Sequence, residues 1–511
     1  MTDTVHPLLT AAEAFPALES AAAGASRRIW LSFRVFDFAT KLRTGEARAL
    51  APGDDWASLL AAKAAEGVDI RVQVSDFDPI GGASLHRAAW ASLRHLHGVV
   101  GRAAEAQGRI QAIAARHPAR TGAAIALALA PRARREVRAL RNKHGAESGT
   151  VLPGLDAAAG VLPKLYPATH HQKIAVFDDR AVVGGLDVDE RRWDTLEHDR
   201  AADETWRDVT FLVQGSPAGQ VASALSAIWN RAVEDGEDQA APQVEMKAFA
   251  QPERIEDSPM PRCGDFDIVQ SSSVYAPSVF GFGPRTKDRG TATAFKDAIR
   301  AAQSFLFIET QYLRSAEIAE ALVDAAARNS KLELVVILPF APEEIAFDGH
   351  EDRMIWHGEA LQVAAIARIR EAFGDRCAFL SPAKTSRRQA EDKFAAYGAG
   401  IIYVHSKIMI ADDQVAIVGS ANLNDRSLHW DTEVSAVWRD RTGVRQFLER
   451  LAESWLGDVA EDVTRVETWR ARATANAAAP PELRDSFLLP HDTRRAGKLS
   501  RNIPFLPDAF F

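Results

Sequence analysis

Residues 404–434 read VHSKIMIADDQVAIVGSANLNDRSLHWDTEV, and this stretch decides the fold. It sets His405, Lys407 and Asp412 in the spacing H-x-K-x4-D, followed by Gly419, Ser420, Ala421 and Asn422. The apolar runs 408–411 and 415–418 flank Asp412 and Asp413, which predicts two strands joined by a tight turn. His405 and Lys407 are two residues apart, so on a strand both side chains leave from one face. Ser420 and Asn422 repeat that spacing on the return strand. An imidazole, an ammonium, a hydroxyl and an amide converging in this way suit an anionic phosphate.

One such motif arises easily by chance; a second copy carries more weight. Residues 169–195, THHQKIAVFDDRAVVGGLDVDERRWDT, hold His171, Lys173 and Asp178 in identical spacing, then Gly184, Gly185, Leu186 and Asp187. The pair resembles the doubled signature of the phospholipase D superfamily. Residues 206–209 (WRDV) and the segment FIETQYL around Gln311 resemble the larger, eukaryotic-type phospholipases D and their bacterial relatives. The likeness runs over roughly residues 29–455, with departures. The turn after Asp178 is one residue short of its counterpart, and Gly185 and Asp187 stand where the second copy has Ser420 and Asn422. No separate lipid-targeting domain is legible before Ile29.

The rest of the chain repeats around these motifs. Residues 16–23 lead into the apolar run 29–36, as 294–303 lead into 305–312. A further helix-then-strand unit follows each run, then a histidine motif, then an acidic strand and a closing helix ending at Trp229 or Trp455. Strands alternating with helical patterns predict an α/β fold. Two duplicated lobes, each a mixed β-sheet flanked by helices, are expected, and the resemblance implies packing about a pseudo-twofold axis that brings His171 and His405 together. The expected boundaries are a first lobe at 1–231, a linker at 232–262, a second lobe at 263–474 and a C-terminal tail at 475–511 whose aromatic residues dock on the lobes. Within the first lobe, residues 85–144 read as an Ala-rich helical insertion without a counterpart. It carries twelve Arg or Lys against two Glu, a local balance of +10 inside a chain of net charge −8. Such a stretch either meets anionic headgroups or phosphates, or is a solvated helical face against the acidic remainder.

Hydrophobic residues make up 47% of the 511, enough for large cores. The negative net charge argues against a general nucleic-acid coat. Two distant cysteines, Cys263 and Cys377, imply no disulfide framework and fit a reducing compartment. The first residues lack a basic segment followed by an apolar one, and no apolar run approaches membrane-spanning length. A cytoplasmic protein, peripheral to membrane at most, is expected.

A phosphodiester resists attack because its nonbridging oxygens carry a charge that repels nucleophiles, and enzymes answer with a metal or fixed cations. No metal-ligand motif is present, and His170 and His171, adjacent on a strand, point to opposite faces. Metal-free chemistry without a cofactor is expected, with Lys173 and Lys407 supplying positive charge. Two histidines permit a two-step route in which one attacks phosphorus and the other protonates the leaving alcohol. The resemblance implies His171 as nucleophile and His405 as acid and base. Asp208 and Glu433 occupy matching places after the motifs, and the expected pairing is Asp208 on His171 and Glu433 on His405. Asp178 and Asp412 are candidates for catalysis or for shaping the turns. Ser420, Asn422, Asp187 and Gln311 are candidate phosphate contacts.

The resemblance implies hydrolysis or transfer at the headgroup phosphodiester of glycerophospholipids, by a monomer with both halves of the site. The alternatives are a cardiolipin-synthase-like phosphatidyltransferase, whose relatives carry N-terminal spans, and a nucleic-acid phosphodiesterase using the basic stretch as a groove. A non-catalytic lipid-binding protein is disfavoured by two complete His/Lys sets. Tyr275, Phe280 and Phe282 either line an acyl or headgroup entrance or pack internally.

Overall fold

The computed structural model describes residues 3–238, 246–256, 263–348, 353–390, 392–458, 460–499, 503 and 507–511. Parts of the expected linker and tail, at 239–245, 257–262, 500–502 and 504–506, lie outside the described residues.

The first sheet contains β1 (Thr4–Leu9), β2 (Arg28–Phe33), β3 (Asp69–Asp76), β4 (Ile110–Arg116), β5 (Lys173–Phe177), β6 (Arg180–Gly184) and β7 (Val209–Gln214), in the order β1-β7-β6-β5-β2-β3-β4. The second contains β8 (Phe266–Val274), β9 (Arg285–Arg289), β10 (Phe305–Thr310), β11 (Glu333–Ile337), β12 (Cys377–Arg387), β13 (Ala395–Ala396), β14 (Ala399–Ile401), β15 (Lys407–Ala411), β16 (Val415–Gly419), β17 (Glu433–Trp438) and β18 (Leu488–Pro490). Its central run, β8-β17-β16-β15-β10-β11-β12, repeats the order of the first sheet. The directions also repeat: β2, β3 and β4 are parallel, as are β10, β11 and β12, and every other pair in the two runs is antiparallel. The expected two-lobed α/β fold is therefore present, with mixed sheets.

Helices complete each lobe: α1 (Thr10–Gly24), α2 (Trp56–Ala65), α3 (Ala83–Arg102), α4 (Ala123–His144) and α5 (Ser216–Asp238), then α6 (Gly290–Ala301), α7 (Ala316–Arg328), α8 (Arg353–Phe373), α9 (Arg441–Leu456) and α10 (Val466–Ala478). The central strands are apolar on both faces because both faces are covered. On β15, Ile408 and Ile410 enter a core shared by the two lobes, while Met409 and Ala411 enter the second lobe's outer core. On β5, Ile174 and Val176 join the shared core and Ala175 and Phe177 the first lobe's outer core.

Three boundaries differ from expectation. The 85–144 block is not an insertion throughout: α3 and β4 answer α8 and β12, with β4 pairing parallel to β3 as β12 does to β11. Only α4 and the short turns after it lack a counterpart. The expected linker begins inside α5, and Ala250 forms an isolated bridge with Gln111 of β4. The expected break at 475–481 falls at the end of α10, and β18 beyond it pairs with β12. Phe510 packs against Phe282 and Trp430, and Phe511 against His357, so the tail docks.

The lobes meet through reciprocal contacts: His170 bridges Thr432, and Arg207 bridges Val404. Arg207 from the first lobe is wholly buried, with Nε 3.4 Å from Oε1 of Glu309 and one Nη donating to Ser454 Oγ at 2.9 Å. Glu309 also accepts from Trp455 Nε1 at 2.6 Å and from the Ser406 hydroxyl. Truncating one partner of such a pair strands a buried charge. Arg207→Ala should therefore cost about 3–5 kcal/mol in chemical denaturation, whereas the double variant Arg207→Met/Glu309→Met should lose much less.

Candidate active site

Lys173 opens β5 opposite Phe33, and Lys407 opens β15 opposite Thr310, so the two motifs stand at equivalent ends of equivalent strands. The His171 backbone N–H donates to Thr432 O, and that of His405 to Arg207 O, each at 2.8 Å and each across the lobe boundary. Both imidazoles are thereby held at the seam, 9% and 3% exposed.

The carboxylates cross over. His171 Nδ1 lies 3.0 Å from Oε2 of Glu433, and His405 Nδ1 lies 2.5 Å from Oδ2 of Asp208. This corrects the expected pairing. Each acidic residue follows its own lobe's histidine motif in sequence, but the strand it opens or adjoins borders the other lobe's histidine. With Nδ1 engaged in both cases, Nε2 is the ring nitrogen left for chemistry in each.

Burial dominates the electrostatics. It pushes His171 and His405 well below the usual imidazole range, and neighbouring cations add to this: Lys173, Arg34 and Lys407 at His171; Lys407, Lys173 and Arg192 at His405. Burial also raises Asp208 to about 6 and Glu433 to about 8, against the pull of Lys407 on the first and Lys173 on the second. Burial lowers Lys407 to about 7, partly offset by Asp208, and lowers Lys173 as well, partly offset by Asp187. Lys173 Nζ donates to the His171 carbonyl at 2.7 Å, and Lys407 Nζ donates to the His405 carbonyl.

The candidate phosphate contacts divide. Asp187 lies beside Lys173, with Oδ2 3.8 Å from Nζ and Oδ1 accepting from Val35 N–H at 2.9 Å. Asp187 is engaged by Lys173 and the Val35 N–H, so its contacts serve the lysine and the backbone. The Ser420 hydroxyl donates to Glu433 at 2.5 Å and accepts from Val434 N–H at 3.1 Å, which commits it to the carboxylate. Asn422 Nδ2 donates to Gln311 Oε1 at 3.3 Å, and Gln311 Nε2 donates to the Tyr403 hydroxyl at 2.9 Å. Those two amides do converge. Gly185 cannot be serine as in the second copy, because a Cβ there would run into the Asp208 carboxylate.

Asp178 and Asp412 are elsewhere. Each follows the far end of its strand at positive φ, 52° and 53°. Asp178 accepts backbone N–H groups of Ser26, Arg27 and Arg28, and Asp412 those of Gln303, Ser304 and Phe305, so they tie the turn to the start of β2 or β10. Burial would raise Asp178, but these N–H groups outweigh it and hold it below the usual carboxylate range. The turns differ as expected: Phe177 pairs with Arg180 across two residues, Ala411 with Val415 across three. His170 turns away from His171, with Nδ1 3.2 Å from Thr432 Oγ1 and its ring against His117.

Several residues at the site were not singled out from sequence. Trp206 lies tilted beside His405, ring centroids 4.7 Å apart, with Arg192 over its ring at 4.3 Å. Strand register puts Arg34 where the second lobe has Gln311, a substitution that only the correct alignment of β2 with β10 could reveal. Arg34 and Arg192 line a cavity of about 600 Å³ whose wall also includes Phe36, Val74, Phe77 and Leu85, with Asp37, Asp189 and Glu190. Cations that act on the two histidines thus share a cavity with an apolar stretch of wall.

Comparison with known proteins bears on the family and the fold. Residues 295–455 match the family model described as cardiolipin synthase, PLD-like domain. Phospholipase D1 of Schizosaccharomyces pombe is 24% identical over 348 residues, covering 53% of this chain and 25% of that protein. Phospholipase D beta 1 of Arabidopsis thaliana is 24% identical over 369 residues, covering 52% and 34%. A phospholipase D of Phytophthora infestans reaches 34% over 179 residues, 29% and 9%. The chain thus spans about a third or less of the length of these relatives. Among solved structures, the phosphatidylserine synthase of Haemophilus influenzae Rd KW20 superposes with TM-score 0.51 at 12% identity, over 94% of this chain and 95% of that one, a likeness of fold. The PLD-like domain match and the phospholipase D relatives support membership of the phospholipase D superfamily of phosphodiesterases and phosphatidyltransferases.

The crossed pairs make a direct prediction. An adjacent carboxylate favours imidazolium, so removing it lowers the imidazole pKa. Asp208→Asn should lower that of His405 and leave His171 little changed, whereas Glu433→Gln replaces a carboxyl that burial keeps protonated near neutral pH and should move the ring resonances of His171 without lowering its pKa, leaving His405 little changed. NMR titration of labelled histidines checks this, and uncrossed pairs would exchange the two results.

Proposed function

We propose that the chain cleaves the headgroup phosphodiester of glycerophospholipids through a covalent phosphohistidine and passes the phosphatidyl group to water or an alcohol. The observation that carries this reading is a cavity of about 600 Å³ with an apolar stretch of wall and with Arg34 and Arg192, the cations that act on His171 and His405, in its lining, a shape for a phosphate with a long apolar body. A polynucleotide has phosphate but no such body, which disfavours the nuclease reading.

His171 is assigned the attack. Near neutral pH the raised Glu433 tends to keep its proton, so its histidine stays uncharged with a free Nε2 lone pair. Asp208 tends to be ionised there and, 2.5 Å from His405, supports an imidazolium once an anionic phosphate has arrived. The N–P bond forms as the P–O bond to the headgroup breaks, and His405 gives its proton to the departing oxygen. His405 then takes a proton from the acceptor hydroxyl, whose oxygen displaces His171. Lys173 and Lys407, with the Asn422 amide, face the developing charge on the nonbridging oxygens. Both His/Lys sets lie in one chain, so a monomer suffices. Free thiols at Cys263 and Cys377 support a cytoplasmic setting, and among the described residues no helix is long and apolar enough to cross a membrane.

A second reading, phosphatidyl transfer as the main reaction, is favoured by the description of the matching family model. Incubation with phosphatidylcholine and ethanol separates the readings. Choline with phosphatidic acid marks a hydrolase, and phosphatidylethanol in large excess over phosphatidic acid marks a transferase. Release from neither lipid nor alcohol mixture, with cleavage of DNA, would overturn both.

Two further outcomes are expected. The neutral form of Lys407 grows above about pH 7 in the free enzyme, so kcat/KM should fall on that side. Bound phosphate favours the ammonium, so the same limb of kcat should lie at higher pH. A common limb in both profiles would contradict the role given to Lys407. Ala89→Trp, filling the cavity from α3, should raise KM for long-chain lipid about tenfold or more while a short soluble phosphodiester is turned over as before.

A further inference from the structure

Helix α4 is built in two unlike halves. Residues 123–131, AAIALALAP, carry no charge, whereas Arg132, Arg134, Arg135, Arg138, Arg141 and Lys143 follow with a single Glu136 among them. Of its 22 residues only Ala126, Ala130, Ala133 and Val137 are buried, so the apolar half is largely in solvent. A helix that serves only to cover a core segregates its apolar residues around the axis, not along it.

The exposure extends beyond α4. Of nine large apolar side chains that the described residues leave exposed, seven lie on α4, at 161–162 or on the loop 275–280, which is clustering and not scatter. Leu127 is 64% exposed, Val161 87%, Val279 59% and Phe280 75%. The three segments are fastened together. Gly122 N–H donates to Gly281 O at 2.6 Å and Ala124 N–H to Val279 O at 2.8 Å, while Arg134 donates to Val161 O at 3.0 Å. Arg134 is seven residues from Leu127 and shares its face of the helix. Arg141 pairs with Asp156, but Arg132, Arg135 and Arg138 make no ion pair among the described residues.

This surface borders the active site. Thr121 N–H donates to Leu165 O at 3.0 Å, and Ala168 packs with Ala119 and Trp430. Thr169 N–H then donates to Asp431 Oδ1 at 2.7 Å, two residues before His171 and two before Glu433. The expectation for the loop aromatics is thereby split: Phe282 packs inward with Phe510, while Phe280 points out.

We infer that this surface seats the protein on an anionic lipid bilayer. Leu127, Val161, Val279 and Phe280 enter the boundary between headgroups and acyl chains, and the arginine half of α4 lies along the headgroups. The inference rests on the proposal that a membrane lipid is the substrate. The charge pattern selects a bilayer over a protein partner, because isolated apolar tips beside a run of unpaired arginines match an acyl layer beneath anionic headgroups.

The test measures partition into phosphatidylcholine vesicles with and without phosphatidylglycerol. It uses the His171→Ala background, so that binding is read without turnover. Leu127→Ser/Phe280→Ser should lower partition at least about tenfold. Val279→Trp should raise it and show a blue shift in fluorescence only when vesicles are present. Arg132→Gln/Arg135→Gln/Arg138→Gln should weaken binding strongly at low salt and little at high salt. In the active enzyme, none of these changes should alter turnover of bis(p-nitrophenyl) phosphate. Unchanged partition and no fluorescence shift would overturn the inference, as would light scattering in which Leu127→Ser/Phe280→Ser converts a dimer to a monomer. If the double variant melts lower, Val279→Trp decides alone. Vesicle binding that follows these expectations in a protein that cleaves no lipid would keep the surface and overturn the proposed substrate.

Discussion

Each histidine of the site takes its carboxylate from the opposite lobe, and the remaining architecture depends on that exchange. His171 with Glu433 and His405 with Asp208 are buried pairs at a seam where backbone N–H groups also cross, from His171 to Thr432 and from His405 to Arg207. A single lobe therefore contains an unoriented histidine and a carboxylate without its partner. Only the packed pair has two imidazoles whose Nδ1 atoms are both fixed by a carboxyl. The shared core formed by Ile174, Val176, Ile408 and Ile410 behind the seam supplies the rigidity this geometry needs.

Similar lobes do not make the two histidines equal. A glutamate is one methylene longer than an aspartate, and Glu433 is additionally held by the Ser420 hydroxyl, whereas Gly185 at the matching place leaves Asp208 room against the backbone. Burial raises the two carboxyls to different extents, about 8 and about 6. Two imidazoles in related folds thus face carboxyls of different proton affinity, which suits a reaction with one nucleophile and one acid. Arg34 in place of Gln311 adds a further difference, placing an extra cation on the His171 side.

Much of this was legible because the constraint is local. A strand buried on both faces must be continuously apolar, and H-x-K before such a strand, twice, carried the fold and the four central site residues. The edges were harder to read. Pro7 argues against a strand, yet β1 is an edge partner of β7, where a missing N–H is tolerated. The sequence IQAIAAR of β4 is Ala-rich and reads as helix, and its parallel pairing with β3 overrides that preference. The crossed carboxylates were out of reach for a different reason. Asp208 and Glu433 stand at matching places in the repeat, and nothing in a linear comparison says which histidine a strand will face once the lobes have packed. The motif aspartates were open between catalysis and the turns, and their contacts are with the turns they fasten.

The central claim is that one site is assembled from both lobes through crossed partners, with His171 attacking phosphorus. Rapid quenching during turnover, with the phosphorylated peptide identified by mass, tests it most directly. The adduct should map to His171. Its formation should slow in Glu433→Gln, while Asp208→Asn should impair the steps that need His405, leaving-group protonation and adduct breakdown. An adduct on His405, or a Glu433→Gln enzyme that forms the His171 adduct at the wild-type rate, would contradict the account.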